Sequence, residues 1–234
     1  MSDTTSLTSV MEVVRHIRKM GTAGARGLAG ARISVGGYAA ANVDFQQEML
    51  QRFPLMIALI LGSTALMLGL LFRSVLIPIK AVELNTLSVA ATFGVIVLVF
   101  QDGFGSRLLG LSGPTAAIFV VVPVTVFAAV FGLSMDYEVF LLSRIREEFC
   151  RTGDTDRATA DGLSAIASTI TSAALIMVIV FGYFAFANVL LLQFLGFGLA
   201  VAVFLDATLI RMLLVPAIMN VAGRWNWWPG ARCK

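Results

Sequence analysis

From residue 53 onward the chain is a succession of long apolar runs separated by short polar stretches. About 20 consecutive apolar residues span a bilayer as a helix. On that rule the pattern predicts five membrane helices: Phe53 to Phe72, Ile77 to Phe100, Thr115 to Leu142, Ser164 to Phe186 and Leu190 to Val215. Residues 1–52 break the pattern. There, Leu7 to Met20 has helical spacing and Arg32-Ile-Ser-Val35 reads as a short strand ending at Gly36-Gly37. This segment reads as an incomplete α/β piece, too short to bury a core of its own. Residues 223–234 form a short tail. The expected architecture is an all-α polytopic membrane protein, a bundle over 53–222 preceded by a partial α/β remnant.

Punctuation between the third and fourth helices is informative. Gly153 is placed to stop a continuation of the third helix, and Asp154 or Thr155 to cap a new one, with Asp156 favourable in its first turn. The expectation for this connection is a solvated amphipathic elbow on the membrane surface. Trp225, Trp227 and Trp228 read as an interfacial anchor.

Composition agrees with the membrane assignment. The chain is 58% hydrophobic and 13% charged, where soluble domains carry about 25% charged residues. Too little polar surface is left to cover a soluble domain. The net charge is +3, and the basic residues sit between apolar runs, which is a topology signal and not a nucleic-acid footprint. Arg73, Lys80, Arg144, Arg146, Arg151, Arg157, Arg211, Arg224, Arg232 and Lys234 fall on one set of connections; the other set holds only Arg107. The positive-inside rule therefore expects the N-terminus outside and the C-terminus inside the cytoplasm of a plasma-membrane protein. Residues 1–50 carry Arg15, Arg18, Lys19, Arg26 and Arg32 and have no preceding helix or signal peptide to export them. The expectation is that the chain is the tail of a longer protein. His16 is the single histidine, which excludes a histidine-built metal site or a Ser-His triad within the chain. Cys150 and Cys233 lie far apart and suggest neither a disulfide framework nor metal spacing.

Against this background one triplet carries chemistry. Asp136-Tyr137-Glu138 lies inside the third apolar run. An ionisable residue in a membrane span costs about 2.5–3.5 kcal/mol on insertion scales and marks a functional site by default. The phenol beside it both donates and accepts a hydrogen bond. Thr125, Ala129, Gly132, Phe140 and Ser143 share the face of Asp136 at helical spacing, a small and partly polar face suited to contact with protein. With no Lys or Arg apparent deep in a helix, Asp136 reads as a group that takes up and releases a proton, in preference to a carboxylate locked to a cation. Gly198, Ala202 and Asp206 repeat the pattern on the fifth helix. Arg211 lies five residues beyond Asp206, about 140° round an α-helix, so that pair is expected to be poor and Arg211 to snorkel to the headgroups. Asp206 reads first as an interhelical packing residue. Ser164, Ser168 and Ser172, with Thr169 and Thr171 beside them, serve either helix packing or the wetting of a path to Asp136. Glu138 and Glu83 read as acids near helix ends.

Gly132-Leu-Ser-Met-Asp-Tyr-Glu-Val-Phe-Leu-Leu-Ser-Arg144 resembles the signature of the MMPL family, mycobacterial large membrane proteins of the resistance-nodulation-division superfamily. Phe72-Arg-Ser-Val-Leu-Ile-Pro-Ile-Lys80, Thr169-Ile-Thr-Ser-Ala-Ala-Leu-Ile-Met177 and Phe204-Leu-Asp-Ala-Thr-Leu-Ile-Arg-Met-Leu-Leu-Val-Pro216 agree with it. Gly36-Gly-Tyr-Ala-Ala-Ala-Asn-Val-Asp44 is similar to the end of that family's second porter domain. The resemblance implies an exporter of lipids or other hydrophobic molecules, driven by the proton gradient and without a cofactor. This chain would match its last five helices. Asp136 and Tyr137 would be the proton-relay pair of the tenth helix, with Ser168, Thr171, Ser172 and Asp206 as relay support or packing. Their counterpart would lie in a missing N-terminal half or a full-length homologue. Glu83 departs from the family pattern, where an apolar residue is expected. Two other readings stand beside it: a non-transporting accessory or degenerate fragment, and an intramembrane aspartyl protease built on Asp136 and Asp206. The latter would need two carboxylates sharing a proton.

Overall fold

The computed structural model describes residues 4–23, 34–110, 115 and 118–229. Among them the chain is helical, with no strand. The helices are α1 (Thr4–Ala23), α2 (Tyr38–Phe72), α3 (Leu76–Ile96), α4 (Val121–Thr152), α5 (Thr155–Phe184), α6 (Leu190–Leu205) and α7 (Val215–Ala222). A π-helical turn, Val97–Gln101, extends α3. A longer one, Asp206–Leu214, joins α6 to α7 without a break. Five units are long and apolar enough to cross a membrane: α2, α3 with its extension, α4, α5 and the composite α6–α7 helix. The chain is an all-α polytopic membrane protein.

Of the short strand expected in the polar N-terminal segment, only two residues are described. Ser34 and Val35 lie outside regular structure, and Arg32 and Ile33 fall outside the described residues. What is present is a helix pair. Val14 of α1 packs on Ala40 and Val43 of α2. Arg18 bonds the Asp44 carboxylate with both guanidinium nitrogens, the Nη2–Oδ2 distance being 3.0 Å. Arg15 donates to Gln46 Oε1 at 3.0 Å. Helix α2 then runs on through residue 52 into the membrane span, with Pro54 inside it. Its 35 residues are about 52 Å long at 1.5 Å per residue, longer than the hydrocarbon core.

The connection between the third and fourth spans is short and has the stop and cap expected from the sequence. Gly153 ends α4 at φ 71°, a left-handed value that favours glycine. The very next residue caps α5: Asp154 accepts from the backbone N–H groups of Asp156 and Arg157. On either side of the connection the residues read as an elbow belong to the two long helices, which pack on each other. At Gly162 an added Cβ would sit 2.9 Å from the Ile145 backbone, so this approach requires glycine.

Two apolar clusters fill the bundle at different heights. One joins Leu68, Phe72, Ile77, Leu141, Ile145 and Ile210. The other joins Val89, Phe100, Val126, Phe131, Phe194 and Ala202. Gly198 and Ala202, two of the small residues read as a contact face, are buried there; a Cβ on Gly198 would meet the Ile96 side chain at 2.8 Å.

The tail is part of the fold. A 3-10 turn, Gly223–Trp227, turns back beneath the bundle. Trp227 is buried and stacks on Phe149 at 5.5 Å, while Trp225 and Trp228 are exposed. Trp227 is therefore a core residue and not part of an interfacial anchor. The same return brings the tail to the end of α4, where Cys150 is disulfide-bonded. Sequence separation gave no hint of this; Cys233 lies outside the described residues.

Candidate functional site

Between the two apolar clusters lies a layer of buried polar side chains. On α3 it holds Asn85 and Ser88, on α4 Ser134 and Glu138, and on the composite last helix Asp206 and Arg211. Each of these three helices carries one cluster on one side of the layer and the other cluster on the other side.

The layer is tied by charge-assisted bonds. Asn85 Nδ2 donates to Glu138 Oε2 at 3.0 Å, linking α3 to α4. Arg211 Nε and Nη2 reach Asp206 Oδ2 at 2.9 and 2.8 Å. Arg211 Nη2 also donates to the Ser134 carbonyl at 2.6 Å, linking the last helix to α4. Its guanidinium lies over the Tyr137 ring, 5.0 Å from the centroid, within cation–π range.

This arrangement overturns two sequence expectations. Arg211 does not snorkel, being 4% exposed, and it does pair with Asp206. The reason is the π-helical turn. In a π-helix the repeat is i to i+5, and Val215 N–H bonds Ile210 O in that register. Residues five apart thereby come onto one side. Arg211 is thus a basic residue deep in a helix, where the sequence pattern shows none, and it pairs with Asp206 and not with Asp136. The sequence held a usable signal: an Asp and an Arg in one apolar run are each costly alone, and pairing offsets that cost.

Asp136 stands apart. Its side chain is exposed and makes no hydrogen bond or ion pair among the described residues. Ala128, Gly132 and Phe140, one turn apart along α4, are exposed as well. Of the face read as suited to protein contact, Gly132 and Phe140 are exposed while Thr125, Ala129 and Ser143 are half-buried, so the part around Asp136 has no partner among the described residues. Tyr137, one position round, is half-buried against Arg211. The pair Asp136–Tyr137 therefore straddles the boundary between the open face and the buried layer.

Other candidates separate from this site. Glu138, read as an acid near a helix end, is fully inside the layer; its burial depends on Asn85, a partner from another helix that was not singled out. Glu83 is exposed. Ser164, Ser168, Thr169, Thr171 and Ser172 are exposed on α5, and Thr171 bonds back to the Ala167 carbonyl at 2.7 Å. Ser164 likewise bonds back to the Asp161 carbonyl at 2.9 Å, and among the described residues none of the five side chains bonds to another helix. No hydrogen bond links Asp136 to Asp206, whose carboxylate is bound to Arg211; the two do not form a proton-sharing dyad. Among the described residues no cluster of His, Cys, Asp and Glu could hold a metal.

The fold and site define a polytopic membrane protein with an ion-paired core and an open, acid-bearing helix face. The family model described as "MMPL family" matches residues 2–234, and the chain belongs to that family. It is 47% identical to the heme uptake protein MmpL11 of Mycobacterium tuberculosis over 85% of this chain and 20% of that protein. It is 46% identical to the mycolic acid-containing lipids exporter MmpL11 of Mycolicibacterium smegmatis, over 86% of this chain and 21% of that one. It is 39% identical to the trehalose monomycolate exporter MmpL3 of M. tuberculosis, over 85% and 21%. The chain spans about a fifth of the length of these relatives.

Proposed function

We propose that this chain works as the C-terminal helix bundle of a proton-driven exporter of lipids or other hydrophobic molecules in the plasma membrane. Its N-terminal segment lies outside the cell and its tail in the cytoplasm. Asp136 and Tyr137 are its proton-relay pair. The observation that carries this reading is the position of Asp136: an acid in a membrane-spanning helix, unpaired, on an α4 face that the chain's own helices leave open. A charged carboxylate there is costly to leave facing lipid. The face calls for a second helix bundle, supplied by an upstream part of a longer chain or by a full-length homologue. Protonation of Asp136 removes its charge and with it the attraction to groups on the opposing bundle, so the two bundles shift relative to each other.

The names of two relatives as lipid exporters support lipid as the cargo class. Basic residues at the ends of the helices support the orientation. Ser168, Thr171 and Ser172 on the outward side of α5 are available to the partner bundle as hydrogen-bonding groups.

The test is Asp136→Asn in the complete exporter, with labelled lipids followed to the outer surface of the cell. Export is expected to fall to background while the protein level in the membrane stays unchanged. Undiminished export in the variant overturns the relay.

A further inference from the structure

Arg211 is buried at 4% exposure, with its guanidinium 5.0 Å from the Tyr137 ring centroid. It spends three contacts on three different groups: the carboxylate of Asp206, the carbonyl of Ser134 and the ring of Tyr137. Two of those groups belong to α4, within one turn of Asp136. The third belongs to its own helix, and reaches it only because residues Asp206–Leu214 are π-helical. π-turns are rare insertions in helices and occur frequently at functional sites. A guanidinium suits this task because its planar fork addresses two acceptors in fixed directions while its face stacks on an aromatic ring.

We infer that Arg211, held by Asp206 across the π-helical turn, is a positioning residue for Tyr137: it fixes the phenol at the edge of the open face where Asp136 lies. The assignment rests on the relay reading of Asp136 and Tyr137 and extends it to a pair that does not itself carry the proton. Removing the clamp frees the ring to rotate away from the face. The pair also has the means to yield. Asp206 Oδ1 and Arg211 Nη1 are buried and have no hydrogen-bond partner among the described residues. Both residues, with Tyr137 and Ser134, line a cavity of about 20 Å³, enough for one water molecule. Movement of α4 can therefore re-partner these atoms inside the layer without exposing a charge to lipid.

The charged groups facing Arg211 are accounted for on every neighbouring element. Asp206 lies on its own helix and Glu138 on α4, the latter held by Asn85 of α3. Helix α5 contributes only Ile170, Ala174 and Met177 to the cavity wall.

The chain has three tyrosines, which makes the ring directly observable. With 3-fluorotyrosine incorporated throughout and the protein in lipid nanodiscs, fluorine NMR gives one resonance each for Tyr38, Tyr137 and Tyr183; Tyr137→Phe assigns the second. In the charge-neutral double variant Asp206→Asn/Arg211→Gln the Tyr137 resonance is expected to shift and broaden, while those of Tyr38 and Tyr183 stay in place. Arg211→Lys keeps the charge balance and the fold but lacks the fork, and is expected to move the Tyr137 resonance in the same direction by less. An unmoved Tyr137 resonance in either folded variant overturns the positioning role. This readout involves no transport. If Asp136→Asn leaves export intact while the Tyr137 resonance responds as expected, the relay fails and the clamp stands; the reverse pattern leaves the relay without the clamp.

Discussion

Asn85 and Glu138 meet across the α3–α4 interface, Nδ2 to Oε2 at 3.0 Å, with Asn85 3% and Glu138 8% exposed. The contact lies at the boundary between the two apolar clusters and registers one helix against the other. A buried polar group left without its partner costs about 1–3 kcal/mol. Asn85→Leu removes the donor and leaves the Glu138 carboxyl unsatisfied, so thermal unfolding in detergent should show a destabilisation of about that size. Pairing it with Glu138→Leu should recover most of the loss, because replacing both partners by apolar groups is nearly neutral. A double variant as unstable as the sum of its singles would show that the two residues act independently.

Close approach of α5 and α6 depends on a single glycine. A Cβ on Gly196 would fall 2.5 Å from Phe184 Cβ, 2.7 Å from the Phe181 carbonyl oxygen and 2.8 Å from the Ala185 nitrogen. Two of these atoms are backbone and cannot turn aside. Overpacking of this kind costs about 1–3 kcal/mol. Gly196→Ala is expected to lower the unfolding temperature by an amount consistent with that range. Gly62→Ala in α2 has nothing within 4 Å and is the matched control, expected to be neutral or slightly stabilising because alanine is the better helix former. Equal behaviour of the two variants would contradict the tight α5–α6 turn.

What was legible in the sequence follows from which interactions are local. The five spans could be read because a bilayer imposes a length on each apolar run. The α4–α5 corner could be read because Gly153 and Asp154 each act within one turn of their own position. The small face of Gly198, Ala202 and Asp206 followed from helical periodicity alone. The polar layer was another matter. Glu138 is buried by Asn85 from a different helix, and no periodicity within α4 announces that. Arg211 was misplaced because its position was reckoned on a 3.6-residue turn, and the π-helical register brings it to Asp206 instead. Trp227 looked like its exposed neighbours until the tail turned back onto Phe149. In each case the deciding contact is long-range, or the helix departs from its ordinary geometry.

That returning tail is tied in by Asn226, which is 0% exposed, alongside a bond from the Val75 N–H to the Trp228 carbonyl at 3.3 Å. The Asn226 Nδ2 donates to the carbonyls of Met219 at 2.8 Å and Gly223 at 2.7 Å, and its Oδ1 accepts from Lys80 Nζ at 2.8 Å. Its own carbonyl accepts from Ser74 Oγ at 2.6 Å. Lys80 spans the junction by donating to the Ile218 carbonyl as well, at 3.1 Å. One amide thereby ties the end of α7 to the start of α3, with Trp227 seated beside it. Asn226→Ala removes three of these bonds, each worth about 0.5–1.5 kcal/mol net, although the Met219 carbonyl keeps the Gly223 N–H as a partner. The expected result is local release of the tail and not global unfolding, since Trp227 lies at the margin of the lower apolar cluster and the upper cluster contains no tail residue. Tryptophan fluorescence reads this directly: with Trp225 and Trp228 already exposed, any red shift reports Trp227 leaving Phe149. The variant should show that red shift together with faster proteolysis after residue 222, at an unchanged helical circular dichroism signal. A spectrum identical to the parent's would mean that the stacking on Phe149 holds the tail without the amide.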